Sequence, residues 1–154
     1  RAGKYSMFEG GTRMPMIVRW PGKVKPGVSD AMVSQVDFSA SLAALVGQTP
    51  DPRTMPDSQN VLAALLGQSP VGRDHIVEHA RSLALRLGQW KYVPPGPVRD
   101  GLGPWKDVKV AAPGLLFDLQ ADPGEQHDLA AQQPAKVKEL TARLEQIRSG
   151  GGSR

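Results

Sequence analysis

The chain has 154 residues, of which 40% are hydrophobic and 22% charged, a composition that permits a packed core. It contains no cysteine, which excludes disulfides and thiolate chemistry, and no apolar run approaches the length of a membrane span. The net charge is +4, but the basic residues are spread along the chain and do not indicate a nucleic-acid-binding protein. Fourteen prolines and seventeen glycines favour loop-rich connections over a helical bundle.

The first 47 residues predict an ordered loop, a strand and a helix. Residues 1–15 show neither a helical nor a strand period, and residues 16–20 form a short apolar run, typical of a buried strand. Asp37 is placed to cap a helix that is apolar on one face, at Phe38, Leu42, Leu45 and Val46. An α/β layer of this kind needs more strands than these residues provide. We therefore expect part of this domain to be missing, and Met16, Val18, Leu42 and Leu45 to be partly uncovered.

Residues 48–73 are rich in Pro, Asp and Gln and predict a connector with one short helix at 60–66. Strand patterns follow it, around residues 76–77, 83–87, 90–93 and 115–119, interrupted by a predicted Pro/Gly loop at 94–114. The closing helix begins at Pro134 and repeats apolar residues at helical spacing, at Val137, Leu140, Leu144 and Ile147.

These elements predict an α+β fold, a small antiparallel β-sheet packed with a C-terminal helix and preceded by a strand-helix remnant of a larger α/β domain. We expect four parts: 1–47 as the end of that α/β domain, 48–73 as the connector, 74–149 as a C-terminal subdomain, and 150–154 as a flexible tail.

Three separated segments carry a family resemblance. The first runs from Lys4 through Phe8-Glu9-Gly10-Gly11-Thr12-Arg13 to Trp20-Pro21-Gly22. The second is the hairpin at 83–92 that ends in Trp-Lys-Tyr, and the third is the closing motif at 116–130, where Asp128 stands in place of the more usual Asn. In order and spacing all three resemble the C-terminal portion of sulfatases, which belong to the alkaline-phosphatase-like superfamily. The resemblance makes residues 1–47 the end of the catalytic domain.

The resemblance implies hydrolysis of a sulfate ester by a formylglycine, made from Cys or Ser in a Cys/Ser-x-Pro-x-Arg motif, together with a calcium held by Asp and Asn. The nearest approach to that motif, at residues 95–99, has proline at the nucleophile's position and is interpreted as part of the loop. We therefore predict no cofactor or metal in this chain, which would be inactive alone. Its expected partners are the missing N-terminal catalytic domain and a sulfate ester substrate, in a periplasmic or secreted protein.

One catalytic position is implied within the chain. By resemblance, the Lys4 ammonium binds the substrate, with a fixed positive charge where negative charge grows in the transition state. Glu9 and Arg13, in the same motif, are predicted to support the loop that carries Lys4.

The histidines and Trp105 are weaker candidates. His79 is either a substrate-binding residue, as its position in the family suggests, or a polar residue at a strand end. His75 is predicted at the surface and His127 in a solvated turn, and no pair of histidines has a metal-binding spacing. Trp105 is either a loop anchor or a substrate contact.

Two other functions stay open. One is a phosphodiester or phosphonate hydrolase of the same superfamily, and the other is a non-catalytic module that binds acidic polymers. The second rests on the basic pI of 9.6 alone. The exposed apolar residues of 14–47 also predict possible self-association of the chain.

Overall fold

The computed structural model describes residues 2–99 and 107–150, so Trp105 and residues 151–154 of the predicted tail lie outside the described residues. The chain divides into two compact units, one made of residues 2–15 with 76–149 and the other of residues 16–75. The four predicted parts concern a longer protein and stay predictions. None of the described helices is long and apolar enough to cross a bilayer. The elements are α1 (Glu9–Thr12), α2 (Asp37–Leu45), α3 (Leu62–Leu65), β1 (His75–Ala80), β2 (Ser82–Leu87), β3 (Trp90–Val93), β4 (Gly96–Arg99), β5 (Asp107–Val110), β6 (Leu115–Asp118) and α4 (Pro134–Ser149).

The first unit is built on a four-stranded sheet in the order β1-β2-β3-β6. Strands β2 and β3 pair antiparallel through a tight turn, and β3 pairs antiparallel with β6, so that Lys91 lies opposite Phe117. Gly88 takes the left-handed conformation in the turn, at φ 55°, which glycine adopts without a steric cost. The predicted antiparallel sheet is confirmed.

Helix α4 covers one face of this sheet. Its first residue is Pro134, which loses nothing there because the first helical N–H has no partner within the helix. The predicted apolar residues of the helix are buried with residues of β2, β3 and β6, in a cluster that includes Leu85, Tyr92, Leu116, Val137, Leu140, Leu144 and Ile147. The predicted helix and its packing are therefore confirmed.

The opposite face is covered by two pieces of chain. Met7 and Phe8 pack with Val93 and Phe117 of the sheet. The same cluster contains Val98 and Val110 of an antiparallel β4–β5 ribbon. This ribbon corrects the prediction that residues 94–114, including residues 95–99, form a loop. Its valines alternate with polar residues and bury one face, while Pro97, which lacks an N–H, is tolerated because a two-stranded ribbon has only edge strands.

The second unit contains α2 and α3, which confirm the predicted helices in shortened form. Asp37 is the first residue of α2 rather than its cap, which corrects the prediction. Its fully buried carboxylate accepts hydrogen bonds from the Arg73 guanidinium at 2.6 Å and from the Gln59 N–H at 2.9 Å. Residues 48–73 are thus tied to α2 by a buried ion pair within this unit.

The strand predicted at residues 16–20 is not formed. A strand needs a neighbour for its backbone hydrogen bonds, and within the described residues of this unit no such strand is present. The side chains of this segment are exposed, with Ile17 at 91%. The expected exposure of Met16, Val18, Leu42 and Leu45 is confirmed, at 37% to 55% of each residue.

Candidate functional site

The segment that carries Lys4 is anchored in the core of the first unit. Met7 and Phe8 are fully buried, and the Phe8 ring packs edge-on against Phe117 with 6.2 Å between the ring centroids. Burying a side chain of this size stabilises a fold by about 1.5–3 kcal/mol. The chain a few residues on either side of Phe8 is therefore held firmly against the sheet.

Lys4 lies in a tight turn at the surface. The Ser6 N–H donates a hydrogen bond to the Gly3 carbonyl at 3.1 Å, and Tyr5, between Lys4 and Ser6, has φ of 73°, in the left-handed region that costs energy for a residue with a Cβ. The Lys4 side chain is exposed, and its Nζ lies 4.8 Å from the centroid of the Tyr5 ring. The turn thus presents an ammonium to solvent from a defined backbone.

Gly11 allows helix α1 to close onto this turn. A Cβ at Gly11 would overlap the carbonyl oxygens of Gly3 and Ser6, the two residues that close the turn. Only glycine permits so close an approach. The second glycine of the motif's Gly-Gly pair therefore has a physical role, because it packs α1 directly against the backbone on both sides of Lys4.

Helix α1 is in turn attached to a buried charged group that we call the Lys91 cluster: Lys91, Glu9, Glu78 and Glu125. The Lys91 Nζ lies 2.7 Å from Glu78 Oε2, 3.1 Å from Glu9 Oε1 and 3.5 Å from Glu125 Oε1. Lys91 and Glu125 are fully buried, and the side chain of Glu9 is 4% exposed. Because a buried ammonium is costly unless it is paired, these contacts fix the four side chains together.

Three further contacts hold α1, two within the cluster and one with Arg86 of β2. The Glu9 N–H donates to Glu125 Oε2 at 2.8 Å, and Lys91 Nζ donates to Thr12 Oγ1 at 3.4 Å. Arg86 Nη1 lies 3.7 Å from Glu9 Oε2. The helix is thus fixed by its backbone as well as by two of its side chains.

The cluster contains more carboxylates than buried cations. Burial raises the pKa of Glu78 above its ordinary value of 4.5, with the positive charge of Lys91 opposing the shift and the negative charge of Glu9 adding to it. The pKa of Glu125 is raised from 4.5 in the same way: burial is the largest cause, the negative charge of Glu9 adds to the shift, and the positive charge of Lys91 opposes it. These carboxyl groups therefore retain a proton at higher pH than exposed glutamates do.

Arg13 and His79 are both exposed. The Arg13 N–H donates to the Glu9 carbonyl at 2.9 Å, which ties its backbone to α1. His79 lies near the end of β1, the outer strand of the sheet. Within the described part of the chain no hydrogen bond or ion pair joins its ring to Lys4, so its substrate-binding role stays a prediction.

The other two histidines differ from each other. The surface prediction for His75 is wrong, because this residue opens β1 and is 1% exposed. Its Nδ1 lies 2.6 Å from Asp74 Oδ1. Burial opposes the shift, but the hydrogen bond and charge of His75 leave the pKa of Asp74 lowered. His127 lies in the closing turn with its side chain 81% exposed, as predicted.

Sequence reasoning did not single out Lys91, Glu78 or Glu125. For Lys91 a signal exists: it interrupts the apolar run Trp-Lys-Tyr-Val and shares a face with the buried Val93. A charge on a covered strand face requires a buried partner. Glu125 has no such signal, because it reaches the cluster from a turn in which it has φ of 53°.

Comparison with known proteins places the chain in a family. The sequence model of the family described as Sulfatase matches residues 1–48. Over 97% of its length the chain is 42% identical to an N-acetylgalactosamine-6-O-sulfatase of Bacteroides thetaiotaomicron, and over 96% it is 29% identical to arylsulfatase A of Homo sapiens. The chain belongs to the sulfatase family. The predicted family is thereby confirmed, and the chain spans 30% and 32% of the length of these two relatives.

Solved structures of sulfatases confirm the fold class. A solved Bacteroides thetaiotaomicron structure, described in connection with the metabolism of multiple glycosaminoglycans, is similar to this chain with a TM-score of 0.86 and 42% sequence identity. The match covers 97% of this chain and 32% of that one. A Pseudoalteromonas sp. sulfatase shares the fold, with a TM-score of 0.81 at 21% identity over 97% of this chain and 32% of that one.

The described residues do not fit the calcium that sulfatase membership implies. Within residues 2–99 and 107–150 no group of three or more His, Asp and Glu side chains is arranged to hold a metal. The carboxylates of the Lys91 cluster converge on an ammonium instead. The Lys91 ammonium thus supplies the positive charge that a metal ion would otherwise bring to these carboxylates.

Proposed function

We propose that this chain is the C-terminal portion of an enzyme that hydrolyses sulfate esters, and that it contributes Lys4 to the active site. One observation carries the proposal: the Lys4 ammonium is exposed on a turn that leads directly into Met7 and Phe8, which are buried against the sheet. A lysine held in this way presents a positive charge at a defined place. The similarity to named sulfatases supports the reaction class.

The proposed reaction needs such a charge. Hydrolysis of a sulfate ester breaks the bond between sulfur and the leaving oxygen, takes up one water, and gives an alcohol and hydrogen sulfate. Negative charge grows on the leaving oxygen in the transition state. A preorganised ammonium beside that oxygen stabilises the transition state more than the ground state.

We propose that the nucleophile and calcium are held by the rest of the longer protein. The sequence of this chain contains no Cys/Ser-x-Pro-x-Arg motif in which a formylglycine could be made, and its acidic cluster surrounds Lys91. The 154-residue chain alone should therefore not hydrolyse an aryl sulfate.

For the substrate class we propose a sulfated sugar, with 6-O-sulfated N-acetylgalactosamine as the first compound to test. The proposal rests on the name of the Bacteroides thetaiotaomicron relative that is 42% identical over nearly the whole chain. A phosphodiester and a phosphonate ester should be assayed beside it. Faster turnover of either would assign the related phosphoester reaction instead.

The proposed role of Lys4 is tested by Lys4→Ala in the longer protein that contains this chain. Loss of one preorganised electrostatic contact should lower kcat by about 10²- to 10³-fold. Lys4→Arg should not restore the rate fully, because a planar guanidinium replaces a compact charge. Lys138→Ala is the matched control, since Lys138 is an exposed lysine on α4.

Folding should be unaffected in these variants, because an exposed lysine buries little apolar surface. A Lys4→Ala enzyme that turns over at the rate of Lys138→Ala would contradict the proposal. Equal thermal unfolding of the two variants is the check that a lost rate is not a lost fold.

We also propose that the exposed apolar residues of the second unit, such as Ile17 and Leu42, are covered in the longer protein by the rest of the sulfatase. In the isolated chain they would favour self-association. A periplasmic or secreted location stays a prediction from the family.

A further inference from the structure

We infer that Lys91 and Glu9, two members of the Lys91 cluster, position Lys4 and act as positioning residues of the proposed site. The inference rests on the proposed function for the role of Lys4. It adds two residues that touch no substrate and act through the backbone of the turn. The structural part of the inference can be tested on the chain without any enzymatic activity.

The first link joins the sheet to α1. Lys91 lies in β3, between strands on both sides, so its backbone is fixed by the sheet. Its buried ammonium contacts Glu9 and Thr12 at the two ends of α1, at 3.1 Å and 3.4 Å. The strand therefore fixes both ends of a four-residue helix that is too short to be stable by itself.

The second link joins α1 to the turn. Gly11, inside α1, packs against the carbonyls of Gly3 and Ser6 without room for a Cβ. Lys4 lies between these two residues in sequence. A shift of α1 would therefore shift the backbone that carries the Lys4 ammonium.

Glu78 provides a matched comparison inside the same cluster. It lies 2.7 Å from the same ammonium and its side chain also bonds that of Thr12, but its backbone belongs to β1, in the sheet, and not to the segment at 2–15. Replacing Glu78 or Glu9 by Gln removes one carboxylate of similar burial and equal size from the cluster. If the cluster serves only stability, the two substitutions should have the same consequences.

The structural test is amide hydrogen exchange on the 154-residue chain. Its reporters are the N–H groups of Ser6, Gly11 and Arg13, which donate to Gly3, Phe8 and Glu9. Glu9→Gln should speed their exchange by about tenfold or more relative to Glu78→Gln. Equal exchange in the two variants, or no change in either, would overturn the inference.

The functional test is a double-mutant cycle in the longer protein. Glu9→Gln should lower kcat by about tenfold while Glu78→Gln leaves it within about threefold, and Glu9→Gln should add nothing in a Lys4→Ala background. A simple loss of stability would not produce this dependence on Lys4. If Glu9→Gln lowers kcat by the same factor with and without Lys4, the inference is overturned.

A second variant covers the case in which a charge change unfolds the cluster. Gly11→Ala changes no residue of the cluster but adds a Cβ where the Gly3 and Ser6 carbonyls leave no room, so that α1 and the turn must separate. It should lower kcat by about as much as Glu9→Gln, again only when Lys4 is present. An unaltered rate in Gly11→Ala would overturn the second link.

Failure of the proposed function would look different. A longer protein that hydrolyses no sulfate ester would overturn the sulfatase role of Lys4. The exchange comparison between Glu9→Gln and Glu78→Gln would still decide whether Lys91 and Glu9 position the turn.

Discussion

The two compact units bury their residues by different means. In the first, the two faces of one sheet are covered by apolar clusters, in which Phe8, Leu85, Phe117 and Leu140 are fully buried. In the second, Ala40, Val61 and Ala64 are the apolar residues of the described range that are buried, and the Asp37–Arg73 ion pair is buried as well. Larger apolar side chains such as Ile17 and Val28 are exposed at 91% and 99%.

This difference concerns what holds each unit together. Apolar burial is non-directional and increases with area, so the first unit gains stability from its large side chains. A buried ion pair contributes little net stability but makes removal of one partner expensive. We therefore expect the first unit to be sensitive to loss of volume and the second to loss of a charge.

The largest expected effect is that of Phe8→Ala on the first unit. Loss of a fully buried aromatic ring should lower the free energy of unfolding by about 3–5 kcal/mol. Ile17→Ala in the second unit, at 91% exposure, should change it by no more than about 0.5 kcal/mol. Urea unfolding followed by residue-resolved NMR measures both. A similar cost for the two substitutions would remove the contrast between the units.

An effect of comparable size is expected from Asp37→Asn in the second unit. The substitution keeps the shape of the side chain but removes the carboxylate charge that lies 2.6 Å from the buried Arg73 guanidinium, and breaking a buried ion pair in this way should cost about 3–5 kcal/mol. Asp51→Asn, which breaks the exposed Asp51–Arg53 pair, should leave unfolding nearly unchanged. Thermal unfolding of both variants tests this. An Asp37→Asn chain as stable as Asp51→Asn would show that the ion pair does not hold this unit.

A smaller effect concerns pH and the Lys91 cluster. Because burial raises the pKa of Glu78 and Glu125, the folded first unit binds protons more tightly than the unfolded chain does. The stabilisation from these groups is fully present below their ordinary value of 4.5 and is lost as pH rises through the raised values. The charged groups that face both carboxyls are Lys91 and Glu9, and Arg86 lies 3.7 Å from Glu9.

Glu78→Gln should therefore reduce the fall in the urea midpoint between about pH 4 and pH 8. Asp122 offers the opposite control, since a hydrogen bond from the His127 N–H lowers its pKa, although burial opposes the shift. Its stabilisation is lost as pH falls, so Asp122→Asn should alter only the acid side of the profile. A Glu78→Gln profile that parallels the unaltered chain would contradict the assignment.

The sequence by itself determined the sheet, the closing helix and the family. Alternation at Leu83, Leu85 and Leu87 and helical spacing from Val137 to Ile147 are local patterns, and each one reports which side of its own element is buried. The motif from Lys4 to Arg13, which contributes to the family resemblance, is likewise recognised from the sequence alone. The sequence did not predict the β4–β5 ribbon, because its alternating valines are few and lie among prolines and glycines, which are typical of loops.

Only the tertiary structure decided which charges meet. Glu9, Glu78, Lys91 and Glu125 come from four separate segments, and their convergence depends on the pairing of the strands and the path of the closing turn. The tertiary structure also decided the conformation of residues 16–20, whose apolar run predicts a strand but has no neighbouring strand among the described residues of its unit with which to form hydrogen bonds. A pattern in sequence states what a segment requires, whereas the fold determines whether a partner lies within reach.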